Sequence, residues 1–409
     1  MYSFSRPEGC WGCLYSESKA CSDIYLFDKV YCVGRHYQDC LKNFPYVSQR
    51  HFVLSIEQND KGKRTILLED MSTNGTLVNK QNVDGCVYIQ TFDQITLTPT
   101  RETGQSIYNL VFCFIDYTVI DEENKLSPIH QNYSFGPMLG YGAYSVVRYC
   151  EYDGVDLPMA AKIVSTSKFE CLDFFKKEMQ ILKSLKHPCL IILYEAVITP
   201  HNYYFIMEMM NGGSLFDRIR DQRWKNNVRS IGYQLLLGLK YLETLNIVHR
   251  DIKPENILFK TRDSDALKIT DFGFGRVTDQ SKFASTMCGT EMYMAPEMFQ
   301  KIVGHIKKYD TSKMDVWSTG VVLFFTALRY LPFSTDLDTY RRQLLVGQVQ
   351  FGPHFFKLEL SMQEILLKML TPNVHERWNV DQCLSHDFFS FDLHGLYSPS
   401  ISDLTPFGQ

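Results

Sequence analysis

The sequence predicts a multidomain protein, an all-β sandwich followed by a larger α+β unit, and three observations carry that expectation. Between Ser22 and Tyr117 short apolar runs alternate with turn-forming clusters, and no helical spacing appears. After a polar, acidic stretch at 118–132 the pattern changes, and strand-like runs mix with helical spacing such as Phe175, Met179 and Leu182. At 409 residues with 45% hydrophobic side chains, 28 Phe and 24 Tyr, the chain suits two or three packed cores.

Composition removes several classes. A net charge of −4 gives no general reason to bind nucleic acid directly. Twelve scattered Cys read as reduced thiols of a soluble intracellular protein rather than a disulfide framework. No N-terminal apolar run resembles a signal peptide. The most apolar segment, Val316–Leu331, is short of the roughly 20 residues a membrane span needs and carries Ser318, Thr319 and Arg329, so it reads as a buried helix.

Taken in order, residues 1–22 read as an irregular N-terminal segment. Its Cys10-Trp11-Gly12-Cys13 has no second Cys or His pair at metal-site distance, so it reads as a loop or strand edge with two free thiols. Residues 23–117 form the sandwich, with strands expected at Ile24–Phe27, His51–Ile56, Thr65–Leu68, Gln94–Leu97 and Leu110–Phe114. Three loop motifs interrupt it: Gly34-Arg35 after a strand, Ser48-Gln49-Arg50-His51 before one, and Ser72-Thr73-Asn74-Gly75-Thr76 with Asn79 after another. Arg supplies a phosphate with charge and a fixed fork of donors, while hydroxyls and amides set its orientation. Asn74-Gly75 also suits a tight turn.

These motifs, in this order on an all-β background, resemble the forkhead-associated (FHA) domain, whose loops recognise phosphothreonine. The resemblance implies that Arg35 and Ser48 contact the phosphate, that Arg50 adds charge, and that Asn74 binds the ligand main chain. His51 would brace the site, and Gln49 stands where relatives often carry Lys.

Residues 118–132 read as a linker. The second domain spans 133–389, and its centre is 245–275, with Asp251, Asn256 and Asp271 at telling positions. Phosphoryl transfer needs one carboxylate to orient the attacking hydroxyl and oxygen ligands to hold magnesium. His249-Arg250-Asp251 with Asn256, then Asp271-Phe272-Gly273, matches the protein-kinase signature, with Ile252 in place of the usual Leu. The chain thus resembles a eukaryotic serine/threonine protein kinase, which implies a two-lobed α+β protein kinase fold using ATP and Mg2+.

The resemblance assigns further roles. Leu139, Gly140, Gly142 and Val147 would cover ATP, with Ser145 where the third glycine is usual. Met159-Ala160-Ala161-Lys162 places Ala160 at the adenine and Lys162 on the α/β-phosphates, and Glu178 would pair with Lys162. Met207 would be the gatekeeper, with the backbones of Glu208 and Met210 facing the base. Asp251 would be the catalytic carboxylate, Lys253 would steady the transferring phosphate, and Asn256 and Asp271 would hold the metal. Thr290 would bond the catalytic loop, Asp315-Val316-Trp317-Ser318-Thr319-Gly320 would belong to the buried frame of the C-terminal lobe, and Arg377 would pair with Glu297. Thr286 stands at the activation-loop position phosphorylated in many relatives, with Arg250 and Arg276 as matching cations. The tail, 390–409, is assigned no function.

An FHA domain ahead of such a kinase is similar to the checkpoint kinase 2 family, within the calcium/calmodulin-dependent kinase group. Membership implies protein substrates phosphorylated on Ser/Thr and a phosphothreonine protein bound through the FHA domain. It also implies activation by dimerisation and autophosphorylation, DNA-damage or meiotic checkpoint signalling, and location in the nucleus and cytoplasm. Two departures stand out. Residues 1–22 hold no Ser-Gln or Thr-Gln cluster, and Ser214 replaces the glutamate that basophilic relatives present to an upstream arginine, leaving Glu255 as the alternative acidic contact. Lys307-Lys308 is too short for a nuclear import signal. Against the active enzyme stands an adaptor with little turnover. Retention of Lys162, Glu178, Asp251, Asn256 and Asp271 favours the enzyme, and Ser145 with the missing cluster favours the adaptor.

Overall fold

The computed structural model describes residues 7–16, 21–59, 62–79, 81–91, 93–99, 110–119, 129–142, 145–165, 172–199, 202–221, 224, 227–272, 290–305, 313–334 and 336–390. The chain divides into two compact units, Met1–Glu170 with Glu195–Ile206, and Cys171–Tyr194 with Met207–Gln409.

The first unit begins with ten strands: β1 Gly12–Ser16, β2 Ile24–Leu26, β3 Val30–Val33, β4 Phe52–Gln58, β5 Arg64–Asp70, β6 Thr76–Val78, β7 Gln81–Asn82, β8 Cys86–Ile89, β9 Gln94–Leu97 and β10 Leu110–Asp116. They build two sheets, ordered β2-β1-β10-β9-β6-β7 and β3-β4-β5-β8. Alternate residues of facing strands fill one core, including Leu14, Leu26, Phe52, Leu54, Leu68, Phe112 and Phe114. Cross-strand pairs such as Leu54 with Leu68 and Ile56 with Ile66 fix the register of β4 on β5.

The N-terminal segment corrects the sequence reading. Residues 1–22 are not wholly irregular, because Gly12–Ser16 forms β1, pairing with β10 on one side and β2 on the other. Cys13 therefore lies inside a sheet rather than at its edge, and Cys10 and Cys13 are both buried thiols. The run Gly-Cys-Leu-Tyr-Ser is too short and mixed to announce a strand; its partner lies about a hundred residues away, and tertiary pairing overrides local propensity.

The same unit carries the sheet β11 Tyr133–Gly142, β12 Ser145–Tyr152, β13 Val155–Ser165, β14 Leu193–Ile198 and β15 Asn202–Glu208, in the order β11-β12-β13-β15-β14. The end of the expected linker is ordered as a helical turn, α1 Ile129–Asn132, with Ile129 buried and the His130 ring edge-on to Phe135 and Tyr204.

The second unit is mainly helical. It contains α2 Leu172–Ser184, α3 Leu215–Arg220, α4 Val228–Thr244, the two-stranded β16 Ile257–Phe259 and β17 Leu267–Ile269, then α5 Pro296–Ile302, α6 Met314–Leu328, α7 Leu337–Val346, α8 Leu360–Met369 and α9 Val380–Leu384. The apolar run read as a buried helix is α6, buried on nearly every side and ended by Arg329 in the left-handed conformation. Among the described residues no helix is long and apolar enough to cross a membrane. Arg377 meets both carboxylate oxygens of Glu297 at 2.7 and 2.9 Å and also donates to the carbonyls of Thr371, Lys313 and Pro372. Every side of that buried charge is satisfied, the condition under which such a pair is tolerated.

Candidate functional sites

The loops at one end of the sandwich converge. Gly34 makes the turn after β3, and a Cβ there would stand 2.4 Å from the Gln49 carbonyl oxygen, so only glycine lets the two loops approach. The Arg35 N–H donates to the Ser48 carbonyl (3.0 Å) and the His36 N–H to the Gln49 carbonyl (3.0 Å), clamping the first loop to the second. Ser48 Oγ accepts the Thr73 N–H at 3.1 Å, joining the second loop to the third. Its hydroxyl hydrogen remains available to an anion.

His51 is the brace. It is fully buried, its Nδ1 accepts the Ser48 N–H at 3.0 Å, and its Nε2 donates to the Gly75 carbonyl at 3.3 Å. That pattern requires the neutral ring protonated on Nε2. Burial, outweighing the pull of Asp70 and the Gly75 carbonyl, holds its pKa down at about 4. Gly75 takes φ +99, and its N–H donates to Ser72 Oγ at 2.8 Å. Asn74 donates one amide hydrogen to the Tyr46 carbonyl at 2.9 Å, leaving its oxygen and second hydrogen for a ligand. Arg50 is exposed. Arg35 has a buried Nε with no hydrogen-bond partner. An unpaired guanidinium donor beside a free hydroxyl is an arrangement suited to an anion.

Across β11, β12 and β13, the register sets Gly140 opposite Val147 and Val147 opposite Lys162. Ala160, two residues before Lys162, shares its face. Leu139 is exposed at the edge, while Lys162 Nζ lies 5.8 Å from the Phe205 ring centroid. Gly142 pairs in register with Ser145. Gly140, Gly142, Val147, Ala160 and Lys162 thus share one sheet face.

In the second unit, Glu178 is buried on the α2 face that holds Phe175 and Leu182, an unusual place for a carboxylate. The Glu208 side chain is committed to Lys268 at 2.6 Å and to the Ile192 N–H at 2.8 Å, and its own N–H goes to the Ile192 carbonyl. What Glu208 can still offer is its backbone carbonyl, followed two residues on by the Met210 amide. The Lys268 pairing escaped sequence reading, although a lysine inside the apolar β17 was its signal.

The catalytic-loop residues meet tightly. Asp251 Oδ2 accepts from Lys253 Nζ and from Asn256 Nδ2, each at 2.8 Å, and Asn256 Nδ2 also reaches the Asp251 carbonyl at 2.9 Å. Asp251 Oδ1 is buried without a partner. Burial pushes the Asp251 carboxyl above its ordinary range, with Lys253 pulling against it and Asp271 adding to the rise. With its amide nitrogen engaged, Asn256 has its Oδ1 left to serve as an oxygen ligand.

Asp315, which the sequence placed only in the structural frame, positions this loop. Its carboxylate accepts the His249 N–H at 2.7 Å and the Arg250 N–H at 2.8 Å, holding Arg250 at φ 67. That left-handed conformation is costly for a non-glycine residue and needs such a clamp. The His249 ring bonds the Thr270 carbonyl at 3.0 Å and lies 4.7 Å from the Phe272 ring, and Asp271 also has φ 67. Ser214 caps α3 in a capping box: its Oγ accepts the Asp217 N–H and donates to Asp217 Oδ2 at 2.7 Å. Thr286 and Arg276 lie outside the described residues, as does the Thr290 side chain. Among the described residues no group of three or more His, Cys, Asp or Glu gathers as a metal site. A magnesium held by one or two oxygen ligands, waters and substrate phosphates needs no such cage, and the Asn256 and Asp271 oxygens fit it.

One set of loops suited to an anion, and another arranged around a carboxylate with a free oxygen, are the features of a protein kinase joined to a phosphate-reading domain. The family model for "Protein kinase domain" matches residues 133–389, and that for "FHA domain" matches residues 31–98. The chain belongs to the FHA-domain serine/threonine protein kinases. It is 30% identical over 355 residues to "Ovarian-specific serine/threonine-protein kinase Lok" of Drosophila melanogaster, covering 83% of this chain and 72% of that protein. It is 28% identical over 392 residues to "Probable serine/threonine-protein kinase fhkC" of Dictyostelium discoideum, spanning 93% of this chain but 65% of that protein's length. Among solved structures it is similar to Rad53 1-466 in complex with AMP-PNP, at 27% identity and a TM-score of 0.55, covering 88% of this chain and 91% of that one.

Proposed function

We propose that this protein transfers the γ-phosphoryl group of ATP to serine or threonine in protein substrates, and that its FHA domain directs it to phosphothreonine-bearing proteins. The observation that carries the reading is the buried, unpartnered Oδ1 of Asp251 beside an Oδ2 fixed by Lys253 and Asn256. A substrate hydroxyl can donate to Oδ1 and be aimed at the γ-phosphorus. As the new O–P bond forms and the bond to the ADP oxygen breaks, the hydroxyl proton passes to Oδ1, whose burial makes it a better acceptor than a solvated carboxylate. Lys253 offers its ammonium to the phosphoryl oxygens, and Lys162 reaches the α/β-phosphates. By the family pattern Glu178 would be the partner of Lys162, and the Glu208 carbonyl and Met210 amide would read the adenine. Asn256 and Asp271 are the residues that would hold Mg2+, which neutralises phosphate charge when bound.

From the sequence's own resemblance to the checkpoint kinase 2 family, we further propose a role as a DNA-damage or meiotic checkpoint effector acting in the nucleus and cytoplasm, with dimerisation and phosphorylation of Thr286 as its activation. Ser214, spent on the helix cap, offers no acidic contact to an upstream arginine, so Glu255 alone should give a weak preference for one. The test incubates purified protein with Mg2+ and labelled ATP beside Asp271→Ala, then maps phosphosites. Label that requires Asp271 and appears on Thr286 supports the enzyme and self-activation. No label in either sample, even with a phosphothreonine peptide added, overturns autonomous activity in favour of the adaptor.

A further inference from the structure

A buried ion pair ties the segment assigned to the adenine to the strand that leads to Asp271. β17 ends two residues before Asp271, and its Ile269 lies opposite Ile257, the residue after Asn256. Both residues assigned to the metal therefore adjoin the β16–β17 ribbon. Residues 189–192 run beside β17: the Ile269 N–H donates to the Cys189 carbonyl at 2.8 Å, and the Ile191 N–H to the Ile269 carbonyl at 3.0 Å. The far end of that segment holds the end of β15, because the Glu208 N–H donates to the Ile192 carbonyl at 3.1 Å. Lys268 spans all three. Its Nζ reaches Glu208 Oε1 at 2.6 Å and donates to the Leu190 carbonyl at 3.0 Å, while Glu208 Oε1 also accepts the Ile192 N–H at 2.8 Å.

The two side chains are only 11% and 12% exposed, so both charges have given up most of their water. A pair buried this deeply adds little stability over an apolar pair of the same volume. What it adds is direction. The ammonium, the carboxylate, the Leu190 carbonyl and the Ile192 N–H meet at one spacing, whereas apolar contacts are non-directional and let packed segments slide. We propose that Lys268 is a positioning residue for phosphoryl transfer: through Glu208 it fixes the distance between the backbone that reads the base and the residues that hold Mg2+. The inference rests on the kinase reading above. A nucleotide seated by its base then presents its phosphates where Asp271 and Asn256 can share the metal, and a slip of β17 breaks that match. Lys268 acts through its neighbours rather than on the nucleotide.

The test measures ADP binding to the full-length protein by calorimetry, once with Mg2+ and once with EDTA, and takes the ratio of the two dissociation constants. Wild type should bind ADP at least about 10-fold more tightly with Mg2+, within the usual range for coupled sites. Asp271→Ala sets the floor of that ratio. Lys268→Met, which removes the charge and keeps an unbranched side chain, should bring the ratio to within about threefold of the floor. A pair that merely stiffens the lobe would weaken both measurements alike, so a wild-type ratio in Lys268→Met overturns the proposal. A wild type that binds ADP equally well with and without Mg2+ overturns it too and leaves nucleotide binding standing. One that binds no ADP at all refutes the kinase reading and this inference together. Hydrogen exchange in the wild type needs no variant to fold. Adenosine, which brings no phosphate and hence no metal, should raise protection of peptides covering 189–192 and Leu267–Ile269 together with 207–210. Protection confined to 207–210 would also overturn the proposal.

Discussion

Acidification tests the brace under the phosphate-reading loops. A neutral His51 is required because Nδ1 accepts from Ser48 while Nε2 donates to Gly75. The folded chain holds its pKa at about 4 against an ordinary 6.5. A depressed folded pKa means the stabilisation is complete above 6.5 and is lost as pH falls toward 4. Below both values the loss reaches about 3 kcal/mol at 1.36 kcal/mol per pH unit. Between pH 7 and pH 5 it amounts to about 2 kcal/mol, or roughly a 30-fold rise in the local opening equilibrium. Ligand affinity is a poor readout, since a phosphate itself titrates near pH 6. Hydrogen exchange of peptides covering β4 and Ser72–Val78 in the full chain, corrected for intrinsic chemistry, is the better assay. His130 and His187 are also held at about 4 by burial, so His51→Gln supplies the reference that cancels their share. Wild type should lose protection about 30-fold more than the variant over that range. Parallel loss in both would refute the argument.

Other expectations concern single contacts. Arg35→Ala removes the unpaired guanidinium and should weaken phosphothreonine-peptide binding by about 10- to 100-fold, read by calorimetry, with the unphosphorylated peptide unaffected. Gly34→Ala drives a methyl into the Gln49 carbonyl and should abolish peptide binding while kinase activity persists. Asp251→Asn should lower kcat by about 10² to 10⁴ with little change in KM for ATP, in a steady-state peptide assay. Arg377→Met strands the buried Glu297 carboxylate and should cost about 3–5 kcal/mol, seen as a lower thermal midpoint, with Glu297→Gln added to the same chain recovering part of it.

Much of the second domain was legible because its chemistry is local in sequence. Asp251, Lys253 and Asn256 lie within six residues, and their hydrogen bonds follow from that spacing. Helix α6 announced itself through an unbroken apolar run, and the pairing of Arg377 with Glu297 came from family pattern and is met in the structure. What stayed hidden depends on distant partners. Asp315 looked like a frame residue because its acceptors' partners, the amides of His249 and Arg250, carry no side-chain signature. β1 was hidden because it gains its hydrogen bonds from β10. Ser214 looked like the loss of an acidic contact, and only the three-dimensional capping box shows what it gained.

The place of β1 between β2 and β10 sets an order on how this protein can be made. Leu14 faces Phe114 across the ladder, so the sheet cannot close until residues up to Asp116 have left the ribosome. Until then β1, which will sit one strand in from the edge of the sheet, is open along one side with its amides unpaired. A fragment cut to begin at residue 31, where the FHA match starts, would lack β1 and β2 and leave β10 with a permanently open edge. Strand β1 is thus part of the domain's closure, and removing it should trade a soluble module for an aggregating one.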